Sequence, residues 1–363
     1  MERRKFLKGA ALAGVGSATL AAPALAQGGK TMTIVSTWPR DFPGLGTSAQ
    51  RLAARITQLS QGALTTEYFA AGERVKAFDS FDEVASGNSQ AYIAADYYWV
   101  GKDPAFAYFT TVPFGMVVDE WNAWIKFGGG QALWDKVSGN FGLKALPCGA
   151  TGTQAGGWFA KEINTPEDFK GLKMRIPGLG GTVLSKLGVS TVSLPGGQIY
   201  QNLVSGAIDA TEWVGPYNDY FMKFYEVTKY YYTGGFHEPN ANLALGMNKS
   251  WWESLSEWEQ AIITTAAYEE NAAQFEETMS KNGEYLKKLV DEHGVEIREF
   301  SDEIWDAFGA ASAEVFQETR ASSPLAAEVD DSFQSTLRDI GGMMAKFQGT
   351  FTNQRNRVLG IDA

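Results

Sequence analysis

Two side chains of opposite charge hold equivalent places in the stretch from Gly171 to Asn218. Arg175 closes the segment LKMR, and Glu212 lies near the end of AIDATEW. Leu172, Met174 and Ile176 alternate with Lys173 and Arg175, so a strand here turns its apolar set to a core and its guanidinium the other way. Pro177 and Gly178 stop that strand at once. A guanidinium is a planar fork that can pair with a carboxylate through two parallel hydrogen bonds. An Arg and a Glu at successive strand ends therefore have two readings. They form a surface ion pair, or they stand in a crevice that holds a small carboxylate. Other reactive residues are few. Cys148 has no identifiable His partner and reads as buried, and one cysteine excludes an intramolecular disulfide. His237 and His293 exclude a multi-His metal site, and His237 reads as a loop histidine. The loop Gly178-Leu179-Gly180-Gly181 misses the dinucleotide fingerprint, because Val183 stands at its sixth position. Its amides still suit an anion at the next helix start.

The elements around Arg175 and Glu212 must place them side by side. Thr165-Pro166-Glu167-Asp168 predicts a helix start with Thr165 as N-cap. Ile199, Leu203 and Val204 have helical spacing, Gly206 can close that helix, and Ala207 to Trp213 is the next strand. An earlier unit echoes this one. Val84-Ala85-Ser86-Gly87 ends a helix and leads into the strand AYIAADYY, whose aromatic end supplies Tyr98 as a hydroxyl donor, with Tyr97 fitting nearly as well. Two lobes that each deliver a strand end to a shared cleft would produce such an echo. MTIVSTW, the helix striped by Leu52, Ile56 and Leu59, and the strand from Ala63 to Phe69 form a β-α-β opening, which predicts an α/β layer architecture. ALPCG and ANLALGMN are further strands, and Gln154 sits in the glycine-rich run TGTQAGGWF. Trp251 to Leu289 is a long helix. Phe333, Leu337, Ile340, Met344 and Phe347 step by four, three, four and three, a narrow stripe interrupted by Gly341-Gly342. It packs on the protein's own body or on a second subunit.

The 363 residues suffice for two globular domains or one large one. A formal net charge of -11 argues against a nucleic-acid partner. Residues 1–26 read as an export signal of the twin-arginine type, with Arg3-Arg4-Lys5-Phe6-Leu7-Lys8, a Gly/Ala-rich apolar run and the small-residue end Ala24-Leu25-Ala26. Its removal takes Arg3, Arg4, Lys5 and Lys8 with only Glu2, so the exported chain is more acidic still. A site for an anion must then supply its own positive charge. Lobe 1 is expected over 27–150 and lobe 2 over 151–235. Residues 236–363 are expected to hold a returning strand, the long helix and C-terminal helices shared between the lobes and a partner subunit.

The leader, TPEDFKGLKMRIPG and the helix-SGAIDATEW unit resemble the DctP-type solute-binding proteins of TRAP transporters, along essentially the whole mature chain. The resemblance implies a two-lobed periplasmic α/β binding protein with a cleft between its lobes, a lobe-spanning helix and extra C-terminal helices. It implies no enzymatic activity but capture of a small carboxylate for a membrane permease, with Arg175 on the carboxylate. GTQAGGW, TEWVGPYND and GFHEPN are similar to the subgroup that binds 2-oxo acids or lactate with a metal ion. That similarity implies Gln154, Glu212, the Trp213 carbonyl and Glu238 as metal ligands. Gln154, Trp213 and Asn218 are expected beside Arg175 as ligand contacts, with Tyr98 from the aromatic end of the first lobe's strand. The similarity also implies a dimer through an exchanged C-terminal helix. Oxygen donors suit a hard cation. Two glutamates and a bound monocarboxylate against one arginine leave two negative charges, which calcium cancels and sodium halves. The competing function, an exported oxidoreductase or lyase acting on a small organic acid, needs a cofactor motif or an acid/base pair, and the sequence offers neither.

Overall fold

The computed structural model describes residues 29–361, so the export segment read at 1–26 lies outside the described residues. The chain opens as β1 (Lys30–Ser36), α1 (Leu45–Leu59) and β2 (Leu64–Phe69), with the two strands parallel. Leu45, Leu52 and Ile56 form the buried face of α1, and Gly62 turns the chain at positive φ. Next come α2 (Ser80–Ala85), β3 (Ala91–Ala94), α3 (Val118–Phe127), α4 (Gly130–Gly139) and β4 (Leu143–Ala150). A second series follows: β5 (Gly157–Phe159), β6 (Lys173–Arg175), α5 (Gly178–Lys186), β7 (Ser190–Val192), α6 (Gly196–Val204), β8 (Ala210–Thr211), α7 (Pro216–Met222) and β9 (Tyr230–Tyr232). The chain then returns through β10 (Asn242–Asn248), α8 (Lys249–Glu253), α9 (Glu257–His293), β11 (Glu296–Arg298), α10 (Asp302–Ser322), α11 (Pro324–Met344) and α12 (Thr350–Leu359).

Two sheets result, in the orders β2-β1-β3-β10-β4 and β11-β9-β5-β8-β6-β7. The returning strand β10 runs antiparallel between β3 and β4, which ties the late chain into the first sheet. Helix α9 packs on α1 and β4 and also on α7, so it joins both halves. Ser256 caps its start, reciprocally with Glu259, and Gly294 in the left-handed conformation ends it. The predicted long helix is therefore broken between Glu253 and Glu257 and runs on to His293. Among the described residues, no helix is long and apolar enough to cross a membrane.

The echo between the halves is physical. Gly87 and Gly206 both take positive φ after a helix, and each helix leads to a strand whose end reaches the junction between the sheets. The strands are shorter than their sequences suggest. β3 stops at Ala94, and Asp96–Trp99 coils into a tight turn. Buried Asp96 accepts from the Tyr92 hydroxyl and the Trp134 indole N–H, both at 2.9 Å, while the Tyr97 N–H donates to Thr110 Oγ1 instead of a ladder. β8 keeps only Ala210–Thr211, and the helix start predicted at Thr165 is one short turn, Pro166–Phe169, closed by a Thr165/Asp168 capping box.

The C-terminal stripe divides. Phe333 is buried against Tyr108 and Trp124 of its own chain. Beyond Leu337 the helix leaves that core, and Phe347 and Phe351 are 72% and 66% exposed. Gly341-Gly342 does not break it, and a π-turn at Ala345–Gly349 links α11 to α12.

Candidate ligand and metal site

β6 and β8 lie side by side and parallel, with Arg175 opposite Thr211, so Arg175 and Glu212 emerge together at one end of the second sheet. The guanidinium is pinned on one side. Its Nε donates to the Leu194 carbonyl at 3.1 Å, and Nη1 donates to the Glu212 carboxylate and, at 3.2 Å, to the Glu212 carbonyl. Nη2 has no partner. The pair is no surface contact: Arg175 is 1% exposed and Glu212 is fully buried. The Arg175 ring-plane neighbour is Trp213, whose indole lies 5.3 Å from the guanidinium carbon. Burial pulls the Arg175 pKa down, but the Glu212 charge together with Tyr98, Tyr97 and Glu238 outweighs it, and the net direction is upward.

Three loops are stitched to this pair by backbone bonds. The Gln154 N–H donates to the Glu238 carbonyl at 3.0 Å, the Gly235 N–H to the Gln154 carbonyl at 2.9 Å, and the Ala155 N–H to the Val214 carbonyl at 2.9 Å. The Gln154 amide donates to Thr151 Oγ1 at 3.1 Å, which leaves Gln154 Oε1 free. Glu238 is buried with neither carboxylate oxygen partnered, and Glu212 Oε2 is also unpartnered. Burial, reinforced by the Glu212 charge, holds the Glu238 pKa well above the usual carboxylate range. Unpaired buried acceptors are costly. Four such oxygens from Gln154, Glu212 and Glu238 in one junction are a donor set that a hard cation satisfies.

Tyr97, Tyr98, Gln154 and Trp213 line a small cavity beside these groups, together with Trp38 and Leu45. Burial raises the hydroxyl pKa values of both tyrosines, so both are protonated donors at neutral pH. Trp38 and Trp213 meet edge to face at 6.1 Å, and both indole N–H groups are unpartnered. Asn218 stands apart from the cavity lining: its Nδ2 reaches across to the Pro43 carbonyl at 2.5 Å, with Oδ1 free.

Several groups escape the sequence reading. His237, read as a loop histidine, is 1% exposed, and its Nε2 lies 3.6 Å from Glu212 Oε2. One donor atom each from Glu212, His237 and Glu238 fall within 4.8 Å of one another. Its adjacency to Glu238 was the available signal. Asp219 is fully buried beneath the Trp213 loop. Its Oδ1 accepts the N–H groups of Val214 and Gly215 at 3.0 Å, and its Oδ2 accepts from Trp158 Nε1 and the Tyr231 hydroxyl at 2.9 Å. Burial pushes its pKa up to about 7 against those four donors.

The model of the bacterial extracellular solute-binding protein family 7, DctP, matches residues 34–322. The chain is 38% identical over 307 residues to the monocarboxylate 2-oxoacid-binding periplasmic protein of a Nostoc species, covering 85% of this chain and 84% of that protein. A TRAP periplasmic solute-binding protein from Pseudoalteromonas atlantica, solved with bound sodium and pyruvate, superposes with a TM-score of 0.87 at 36% identity, over 90% of this chain and 99% of the other. A TRAP solute-binding protein from Bordetella bronchiseptica superposes with a TM-score of 0.89 at 30% identity, over 92% and 98% of the two chains. It was solved as a mixed-occupancy dimer with copurified calcium and picolinate.

Proposed function

The chain belongs to bacterial extracellular solute-binding protein family 7, and from that premise we propose that it captures a small monocarboxylate together with a sodium or calcium ion and delivers it to a TRAP-type membrane permease. The ligand is a 2-oxo acid such as pyruvate or a 2-hydroxy acid such as lactate. The observation that carries this reading is the buried group of Arg175, Glu212 and Glu238 with its unpartnered Nη2 and carboxylate oxygens. In this reading Arg175 Nη2 donates to the ligand carboxylate, and the protonated Tyr98 hydroxyl adds a second donor. Gln154 Oε1, Glu212, the Trp213 carbonyl and Glu238 hold the cation. The cation supplies the positive charge that the two glutamates and the ligand lack, and a coordination site for ligand oxygen. Asn218 ties α7 to the Pro43 carbonyl.

Lobe 1 spans 27–150, lobe 2 spans 151–235, and 236–363 serve both. Residues 1–26 direct the chain to the periplasm. The exposed apolar end of the C-terminal helix, with Phe347 and Phe351 one turn apart, supports a homodimer in which that helix docks on a second copy. Light scattering on the chain from residue 27 reads this directly: a dimer is expected, and Phe347→Asp with Phe351→Asp should dissociate it. A monomeric unsubstituted chain sinks the dimer.

The receptor reading is tested by mass spectrometry of the ligand released from protein as purified, with elemental analysis of the same sample. Calorimetry with pyruvate and lactate, before and after chelation, completes the test. A 2-oxo or 2-hydroxy acid and a cation whose removal weakens its binding are expected. Binding indifferent to chelation overturns the metal, and no binding of either acid overturns the ligand class.

A further inference from the structure

We infer that the Trp213 indole is the wall that sets ligand chain length. It holds the site to acids whose tail is no larger than a methyl group, and its removal joins the site to a separate apolar groove that takes long-chain 2-oxo acids. This role rests on the carboxylate site proposed above and narrows its ligand class. Two spaces meet at the ring. The cavity beside Arg175 has a free volume of about 10 Å³, room for roughly one water-sized group. The second space is a groove of about 390 Å³, lined by Phe42 from the loop before α1, by Tyr200 of α6 and by Phe221 and Met222 of α7. Trp213 belongs to both linings.

Packing fixes the ring. Trp38 and Phe42 meet it edge to face, each at 6.1 Å, and the Arg175 guanidinium carbon lies 5.3 Å from it. Gly196, the first residue of α6, lies against its edge, where a Cβ would stand 2.3 Å from Trp213 Cη2. Glycine at this position lets the indole lie between the two spaces. The Trp213 N–H has no partner within the chain, so truncating the ring orphans no hydrogen bond. The Trp213 carbonyl, assigned above to the cation, survives any side-chain substitution. A longer tail beside the intact ring overpacks the small cavity, and one methylene in an apolar pocket is worth about tenfold or more in binding. A tail that reaches the groove instead buries apolar surface against Phe42, Phe221 and Met222. The charged groove residues, Lys223 and Glu226, face each other at 3.8 Å, so an alkyl tail is the chemistry left to it.

The test is calorimetry on the full exported chain with pyruvate and 2-oxooctanoate, in buffer containing Na+ and Ca2+. The unsubstituted chain should bind 2-oxooctanoate more weakly than pyruvate by about tenfold or more. Trp213→Ala should reverse that ratio, and Trp213→Leu, which keeps a buried apolar side chain, should reduce it. Phe221→Asp added to Trp213→Ala should remove the gained 2-oxooctanoate affinity and leave pyruvate affinity unchanged. An unsubstituted chain that binds both acids equally well overturns the inference, as does a gain that persists with Phe221→Asp. Equal losses for both acids in the Trp213 variants leave the ratio unchanged, overturn the inference and reduce the ring to a support for Arg175. Pyruvate binding by the unsubstituted chain tests the receptor reading by itself, so an unchanged ratio with pyruvate still bound removes the chain-length role alone.

Discussion

Asp219 and Glu238 are carboxylates of nearly equal burial with opposite surroundings. Asp219 accepts four hydrogen bonds, two from the backbone of the Trp213–Gly215 loop and two from β5 and β9. Glu238 accepts none. Burial raises both pKa values. The four donors restrain Asp219 to about 7, whereas the Glu212 charge pushes Glu238 further in the same direction. Folding alone completes the collar around Asp219, while the Glu238 carboxylate finds no hydrogen-bond partner within its own chain. The number of partners, and not the burial of the charge, separates the two carboxylates.

The sharpest way to break the comparison is to remove the satisfied carboxylate. Asp219→Ala leaves four buried donors unpaired and should destabilise the fold by about 3–5 kcal/mol. Chemical denaturation of metal-free protein measures this, and a loss below about 1 kcal/mol would mean the collar relaxes onto water. The next effect lies in the pocket. Arg175→Lys keeps the charge but loses the planar fork, and should weaken carboxylate binding by about 2–3 kcal/mol in calorimetry.

Glu238→Gln should do the reverse of Asp219→Ala. The metal-free fold gains about 1–2 kcal/mol, because Gln is neutral without the proton uptake that burying Glu238 requires, while cation affinity falls. The pH dependence follows from the same group. Its metal-free folded pKa stands above its unfolded value, so the metal-free fold binds more protons there and grows more stable as pH falls through the folded value toward the ordinary carboxylate range. Cation affinity drops in the same direction, because the ion must displace the proton. Calorimetry of Ca2+ binding in buffers of different ionisation heat should register proton release in the unsubstituted chain and little in Glu238→Gln. The smallest effect is expected from Thr151→Val, which removes the acceptor that orients the Gln154 amide. A loss of about 1 kcal/mol in cation affinity, with stability changed by less, would mark Thr151 as a positioning residue.

Local sequence made some of this legible. The alternation around Met174, the helix of Leu52 and Ile56, and the glycine stops at Gly62, Gly87 and Gly206 announced their elements, because periodicity and positive φ are properties of neighbouring residues. Cys148 is buried as its lack of partners implied. The strand from Ala91 was read too long. A buried acid, Asp96, drew Tyr92 and Trp134 to itself and turned the chain, and Trp134 is far away in sequence.

The sequence by itself determined the α/β architecture, the acidity that obliges an anion site to carry its own arginine, and the placing of Arg175 and Glu212 at strand ends; that they pair, across neighbouring strands with β7 between them in the chain, came from the structure. Resemblance to a family named Gln154 and Glu238 beside them. Only the tertiary structure decided that His237 belongs in the same junction, that Asp219 braces the Trp213 loop, and that the C-terminal stripe is half core and half exposed. The physical reason is common to all three. Burial and hydrogen-bond partnership are set by which distant segments meet, and β10 carries the 235–240 loop back to the Gln154 and Glu212 loops only when both sheets have formed.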